Sequence, residues 1–243
     1  MQFQSLKDKM MQNLLDKIVL SNNVVEEFYK YYQKPLFKNW LDGILPEIPR
    51  CKEVKQDNPW HIYDCLDHLL HSVEEMNKQT KNYDYDTRKM LAYTMLLHDI
   101  GKPDCVLRRF SKEFNREIES FFHHSTASVK IADRALPALG FNSATAEKIK
   151  ALVAGHDIFM FITLEDDHNP WHHVLTPAYL QEEIDKLEKA GDGKTLMKQL
   201  IMVGRADSRS QNPKLTGPSL NLLDIMDNML LNHNKPKDFE QKR

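Results

Sequence analysis

Residues 96–103 of this 243-residue chain read Leu-Leu-His-Asp-Ile-Gly-Lys-Pro. The spacing of apolar residues before them predicts a helix from about Asp86 to His98, and Gly101 is typical of a residue just past a helix end. Adjacent residues on a regular helix point in different directions. His98 and Asp99 can therefore serve one site only where the helix unwinds, and we expect Gly101 to permit that.

Helical periodicity extends on both sides of this stretch. It predicts further helices over residues 4–20, 24 to Pro35, 62–78, 125–139, 178–190, 194–209 and 220–231, with one more capped by Ser143. Residues 43–59, 103–122 and 163–177 are predicted to be irregular, without convincing strand alternation. Only 8 residues are Gly, which argues against a turn-dense all-β protein. The predicted fold class is therefore an all-α, single-domain helical bundle.

The composition excludes several classes of protein. Hydrophobic residues make up 41% of the chain and the formal net charge is −2, so the chain is not of the disordered type. A nearly neutral chain has no overall basic footprint for nucleic acid, although a local patch is still possible. The glycine patterns of dinucleotide-binding and P-loop phosphate cradles are absent.

Cysteine usage and hydropathy bear on location. Three cysteines without CxxC spacing give neither a disulfide framework nor a cysteine zinc site, which favours a reducing compartment. The first residues carry charges where a signal peptide needs an apolar run. The longest charge-free stretch near the centre, Met90–His98, is far shorter than the roughly 18 residues of a membrane span. We expect a cytoplasmic protein with no membrane partner, and the sequence gives no prediction of oligomeric state.

Histidines are concentrated in the middle of the chain. Ten of the 11 lie between His61 and His173, and several fall at predicted helix ends or on apolar helix faces beside aspartates. The candidates are His68, His98, Asp99, His123, His124, His156 and Asp207. Imidazole and carboxylate groups from separate helices can converge in a bundle interior and hold a divalent metal. Such a metal would lower the pKa of water and polarise a phosphoryl oxygen.

The stretch 96–103 resembles the signature of HD-domain metal-dependent phosphohydrolases, which implies an HD-type helical bundle. In that family an H…HD…D set binds the first metal, and two intervening histidines complete a second site in many members. The resemblance implies the following metal ligands: His68, His98, Asp99 and Asp207 for the first metal, with Asp99 bridging to a second held by His124 and His156. Mn, Fe, Co, Ni, Mg and Zn, one ion or two, all stay open as the cofactor.

The likeness is strongest to the HD domain attached to bacterial CCA-adding tRNA nucleotidyltransferases, and it covers roughly residues 36–213. The segments that carry it are Asn58–Asp64 before His68, His124–Ser128, and Arg205–Pro213. The family's GHE segment reads His123-His124-Ser125 here; both histidines are candidates, and the register favours His124. The nucleotidyltransferase head is absent, so CCA addition is not expected. The predicted parts are 1–57 (N-terminal helices packed on the core), 58–213 (the HD metal-binding domain) and 214–243 (a C-terminal helix and charged tail).

The resemblance implies a metal-dependent phosphohydrolase or phosphodiesterase for nucleotide or RNA-end phosphate esters, such as 2′,3′-cyclic phosphates and 2′-phosphates. The residues expected to take part in catalysis are Asp99, Lys102, His124 and His156, and those expected to bind substrate phosphate are Lys102 and Arg205. One alternative is a 5′-nucleotidase; another is a non-catalytic HD scaffold that binds nucleotide, RNA or protein. A structural zinc bundle is a weaker alternative, because the mixed set exceeds four ligands. His71 and the histidines at 168, 172 and 173 are expected to have structural or solvated roles.

Overall fold

The computed structural model describes residues 5–232, and eleven α-helices form most of that span. The first six helices are α1 (Leu6–Val19), α2 (Val24–Tyr32), α3 (Pro35–Ile44), α4 (Glu47–Glu53), α5 (Cys65–Gln79) and α6 (Tyr85–Leu97). The remaining five are α7 (His124–Ala135), α8 (Ser143–Gly155), α9 (Pro177–Leu187), α10 (Gly193–Arg209) and α11 (Gly217–Asn232). The all-α, single-domain prediction is confirmed.

Side-chain caps fix where several of these helices begin. The Asp64 carboxylate accepts a hydrogen bond from the Asp67 backbone N–H at 3.0 Å, so α5 begins three residues later than the periodicity predicted. Asn142 caps α8 in the same way, one residue before the predicted cap at Ser143. Each such cap stabilises its helix by about 1 kcal/mol. Capping geometry therefore fixes the first residue of each such helix, which hydrophobic periodicity places only to within about a turn.

The core lies among α5, α6, α8 and α10. Helix α5 packs on α6 and α10, and α8 packs on α6 and α10. Leu69, Leu97, Leu152 and Ile201, one from each of these helices, are fully buried. Truncating one such side chain to alanine would cost about 2–5 kcal/mol. This arrangement turns one face of each of the four helices toward a common interior.

Two stretches predicted to be irregular contain regular structure. Residues 47–53 form α4, and residues 103–122 contain a 3-10 turn (Lys102–Asp104) and a β-hairpin. The hairpin pairs β1 (Leu107–Ser111) with β2 (Arg116–Ser120), Leu107 lying opposite Ser120. Most of its residues are exposed, so its strands show no alternation of buried and exposed positions that sequence could reveal. The stretch 163–177 contains the two-residue strand β4 (His173–Val174), which pairs with β3 (Ile162–Thr163).

The predicted division into parts stays a prediction. Helices α1–α4 pack on one another and on α5 and α6, and α11 packs on α10. Residues 233–243, the predicted charged tail, lie outside the described residues. Between residues 5 and 232, no helix is both long enough and apolar enough to cross a membrane.

Candidate metal centre

Four side chains from three parts of the bundle meet in its interior: His68 on α5, His98 and Asp99 after α6, and Asp207 on α10. One nitrogen or oxygen atom from each lies within 4.8 Å of the others. The His68 Nε2 atom is 3.2 Å from Asp99 Oδ2 and 3.0 Å from Asp207 Oδ1. The His98 Nε2 atom is 3.3 Å from His68 Nε2. These four residues form what we call the first group.

A second group adjoins the first and shares Asp99 with it. It consists of Asp99, His124 at the start of α7, and His156 at the end of α8. The Asp99 Oδ1 atom lies 3.0 Å from His124 Nε2 and 3.3 Å from His156 Nε2, while the two imidazole Nε2 atoms are 3.0 Å apart. The two oxygens of one carboxylate therefore face two different groups.

The imidazoles of both groups are oriented by oxygen acceptors behind them. The Nδ1 atom of His98 is 2.7 Å from the Met95 carbonyl, and the corresponding distances are 2.6 Å for His124 to Phe121 and 2.7 Å for His156 to Val153. A carbonyl can only accept, so each of these Nδ1 atoms carries the proton. In the neutral ring, each Nε2 atom then presents a lone pair to the interior, as in metal-ligating histidines. His68 is held similarly, with Nδ1 3.1 Å from Ser210 Oγ.

When the imidazoles are neutral, the ring nitrogens that face one another across the two groups are all acceptors. Imidazole lone pairs approach one another to about 3 Å across both groups, and Asp99 Oδ1 is buried without a hydrogen-bond partner in the described chain. Buried acceptors cost free energy unless something positive satisfies them. A divalent cation meets that need, and a mixed imidazole–carboxylate set suits a transition metal. The residues present therefore fit a metal ion.

The two carboxyls are ionised in this setting. Burial, the strongest influence, raises the pKa of Asp99, but the Lys102 ammonium and the His98 imidazole together outweigh it and hold that pKa well below its usual range. Burial also raises the pKa of Asp207, and hydrogen bonds from His68 and His98 outweigh it, so the net shift is again strongly downward. Both side chains offer charged oxygens to a cation.

When no metal is bound, the pKa values of the two first-group imidazoles are shifted upward. Burial lowers the pKa of His68, but hydrogen bonds to Asp207 and Asp99 raise it above its ordinary value. For His98, burial again lowers the pKa, and the charges of Asp99 and Asp207 together with their hydrogen bonds more than reverse that effect. A proton and a metal ion therefore compete for the same Nε2 lone pairs of these rings.

The His98-Asp99 doublet serves both groups because α6 stops just before it. The helix ends at Leu97, and residues 98–101 form turns that lead into the 3-10 turn. Gly101 has an ordinary φ of −81°, so it does not act through a backbone conformation that only glycine adopts. Gly101 matters because it has no side chain. A Cβ there would lie 2.5 Å from the Ser128 nitrogen and 2.7 Å from the His124 carbonyl oxygen. The glycine lets α7 approach closely enough to bring His124 to Asp99.

Lys102 lies against the shared carboxylate. Its ammonium is 2.5 Å from Asp99 Oδ2, 2.6 Å from Gln56 Oε1 and 3.2 Å from His61 Nε2. Sequence reasoning missed Gln56, and it gave His61 no role. Gln56 is almost fully buried with a left-handed φ of 54°, a conformation uncommon for a residue with a side chain. No spacing rule marks such a residue; only the backbone of the segment before α5 brings it to the site.

Several candidates lie away from the two groups. The Arg205 guanidinium is bound to Asp224 at 2.9 Å and Asp227 at 3.0 Å, both on α11. Since Arg205 and Asp207 are two positions apart on a helix, they point to different sides of α10. His123 is exposed, and of the His123-His124 pair only His124 reaches the cluster. His71 stacks on Tyr63, and the histidines at 168, 172 and 173 belong to the outer polar segment.

Fold and site together define an all-α protein with two adjoining His/Asp groups, each of which could hold a metal ion. No family model matches the chain. The A-adding tRNA nucleotidyltransferase of Deinococcus radiodurans is 30% identical to it over 117 residues, which are 48% of this chain and 25% of that protein. The matched segment is thus about a quarter of the curated relative's length.

Proposed function

We propose that this chain is an HD-type metal-dependent phosphohydrolase or phosphodiesterase that acts on phosphate esters of nucleotides or RNA ends. The observation that carries the proposal is the shared carboxylate, because Asp99 turns Oδ2 toward the first group and Oδ1 toward the second. A pair of adjoining metal positions is common among phosphatases and nucleases, where two ions hold the attacking and leaving oxygens.

The first group would hold one ion through His68, His98, Asp99 and Asp207, and the second group would hold another through Asp99, His124 and His156. A divalent metal bound there supplies Lewis acidity to phosphoryl oxygens and lowers the pKa of water. Imidazole-rich sets suit Mn, Fe, Co, Ni or Zn better than Mg, which prefers oxygen ligands.

Burial indicates where a substrate would enter. The side chains of His68, His98, Asp99 and His156 are at most 3% exposed, whereas Asp207 is 18% and His124 13% exposed. A phosphate ester would thus approach between the α10 carboxylate and the start of α7. Lys102, held at Asp99, would offset negative charge that develops on the phosphoryl oxygens. Arg205 has no part in this proposal, because two α11 carboxylates bind its guanidinium.

The substrate class rests on the partial likeness to a tRNA nucleotidyltransferase, which supports nucleotide or RNA-end phosphates. Within that class we favour 2′,3′-cyclic phosphates and 2′-phosphates. Turnover confined to 5′-monophosphates would instead indicate a 5′-nucleotidase of the same metal-dependent type.

The test is a metal-by-substrate matrix on metal-stripped protein. The metals are Mn, Fe, Co, Ni, Mg and Zn; the substrates are 2′,3′-cyclic nucleotides, 2′-, 3′- and 5′-monophosphates, dNTPs and a chromogenic phosphodiester. We expect hydrolysis only with added metal, none in Asp99→Ala, and full activity in the control His71→Gln. Metal-loaded protein that turns over nothing, or an active Asp99→Ala, would overturn the proposal and favour a non-catalytic scaffold.

A further inference from the structure

The Lys102 ammonium has an acceptor for each of its three N–H donors. These acceptors are Asp99 Oδ2, Gln56 Oε1 and His61 Nε2, at 2.5, 2.6 and 3.2 Å. An ammonium has three donors and no acceptor, so this set satisfies it completely. The side chain is only 5% exposed, and the Phe121 ring lies 5.1 Å from the charge. A long, flexible side chain is thereby held in one position.

The His61 imidazole can accept from Lys102 only in one of its two neutral forms. The His61 Nδ1 atom is 2.8 Å from Asn58 Oδ1, which also accepts from the backbone N–H groups of Trp60 and His61. Two backbone donors at this atom identify it as the amide oxygen, and Asn58 Nδ2 donates to the Glu119 carbonyl. The proton therefore lies on His61 Nδ1, and Nε2 presents a lone pair to Lys102.

We propose that His61 is a positioning residue for Lys102, and that Asn58 sets the His61 tautomer that makes this possible. Asn58 is buried and tied to the β-hairpin through Glu119, so the chain of contacts runs from a fixed backbone to the shared carboxylate. Its purpose is to hold a positive charge at the edge of the cluster without adding a metal ligand. The contact itself is independent of the proposed function, whereas its effect on turnover rests on that function.

Activity measurements separate positioning from packing. In His61→Leu, which has no acceptor, we expect kcat to fall roughly tenfold or more at nearly unchanged KM and metal content, since a charge-assisted hydrogen bond is lost at the reacting centre. His61→Gln restores an acceptor and should recover most of kcat. The double variant His61→Leu/Lys102→Met should be no slower than Lys102→Met alone, because His61 acts through Lys102.

A measurement without substrate keeps this proposal distinct from the hydrolase proposal. In 15N NMR, we expect a Lys102 ammonium signal protected from exchange with water and a His61 ring protonated on Nδ1. Asn58→Ala should shift His61 toward the Nε2–H form, and His61→Leu should abolish the Lys102 protection. His71→Gln is the matched control and should change neither signal, since that ring stacks on Tyr63 outside the cluster.

The outcomes are decisive in both directions. Four results would each overturn the positioning role. The first two concern the natural protein: a Lys102 ammonium that exchanges freely with water, or a His61 ring protonated on Nε2. The other two concern the variants: additive effects of His61→Leu and Lys102→Met on kcat, or loss of metal from His61→Leu. If His61→Leu does not fold, Asn58→Ala leaves the imidazole in place and provides the same test through the tautomer. A protein with the protected Lys102 signal but no hydrolysis would retain the contact and reject only the proposed function.

Discussion

Gly101 and Ser128 pack backbone to backbone where the turn after α6 meets α7. The Gly101 N–H donates to Ser128 Oγ at 2.9 Å, and a Cβ built on Gly101 would lie 2.5 Å from the Ser128 nitrogen. Since α7 begins at His124, this close approach sets the distance from the second-group imidazole to Asp99. A glycine outside both groups thus determines whether they adjoin.

Substitution of Gly101 by alanine should damage stability and the second group together. The added methyl would clash with backbone atoms, so α7 must move outward, at a cost of about 1–3 kcal/mol. We expect a lower free energy of unfolding in urea and a reduced metal stoichiometry. Ser128→Ala is the control, because it removes the hydrogen bond but not the close packing and should keep both ions. A Gly101→Ala protein with unchanged metal content would contradict this account.

The shared carboxylate predicts different metal stoichiometries for different ligand variants. Asp99→Ala should remove both ions, because each group loses an oxygen ligand. Asp207→Ala should weaken only the first site and His156→Ala only the second. Elemental analysis after dialysis against a limiting metal concentration would measure this. Equal loss of metal in all three variants would show that the cluster holds a single ion.

The residues that form the two groups could be picked out from the sequence, because they are histidines and aspartates at predicted helix ends or on apolar helix faces. The His98-Asp99 doublet at a helix end, and histidines at the ends of α7 and α8, are visible as residue types at predicted helix boundaries. Arg205 illustrates the limit: it lies two residues before Asp207 in the sequence, but it points to another side of α10, where carboxylates of α11 bind it. The positions of the Gln56 and Asn58 side chains could not be predicted, because an irregular backbone segment brings them to the site.

Metal binding should release protons and weaken as the pH falls. Because the pKa values of His68 and His98 are raised when no metal is bound, these rings stay protonated to a higher pH than free imidazole would. A metal needs their neutral form, so its affinity should rise with pH until both rings are neutral and then level off. Calorimetry in two buffers of different ionisation enthalpy would count the protons. Histidines ordinarily titrate between roughly pH 5 and pH 8. A metal affinity that stays constant over that interval would contradict this prediction.

Arg205→Gln should affect stability and leave substrate binding alone. The guanidinium joins α10 to two carboxylates of α11, and partly exposed ion pairs of this kind contribute about 0.5 kcal/mol. We expect a slightly lower melting temperature and an unchanged KM for any ester that the protein hydrolyses. A several-fold rise in KM would return Arg205 to the substrate site that the sequence first suggested.

Tyr29 should stabilise the start of α5 in a way that disappears at high pH. Its hydroxyl donates to Asp67 Oδ1 at 2.5 Å, one residue before His68, and Lys52 bonds the same carboxylate at 2.9 Å. Burial and Asp67 raise the pKa of Tyr29 to about 12, from an ordinary value near 10. Tyr29→Phe should therefore cost about 0.5 kcal/mol at neutral pH, a small value because solvent screens a half-buried pair. The natural protein's advantage over Tyr29→Phe is full below pH 10, where tyrosine is protonated in both the folded and unfolded states, and is lost as the pH rises toward 12. Urea unfolding of both proteins across that range would measure the difference, and a difference that stays constant through pH 12 would show that the hydroxyl contributes by packing alone.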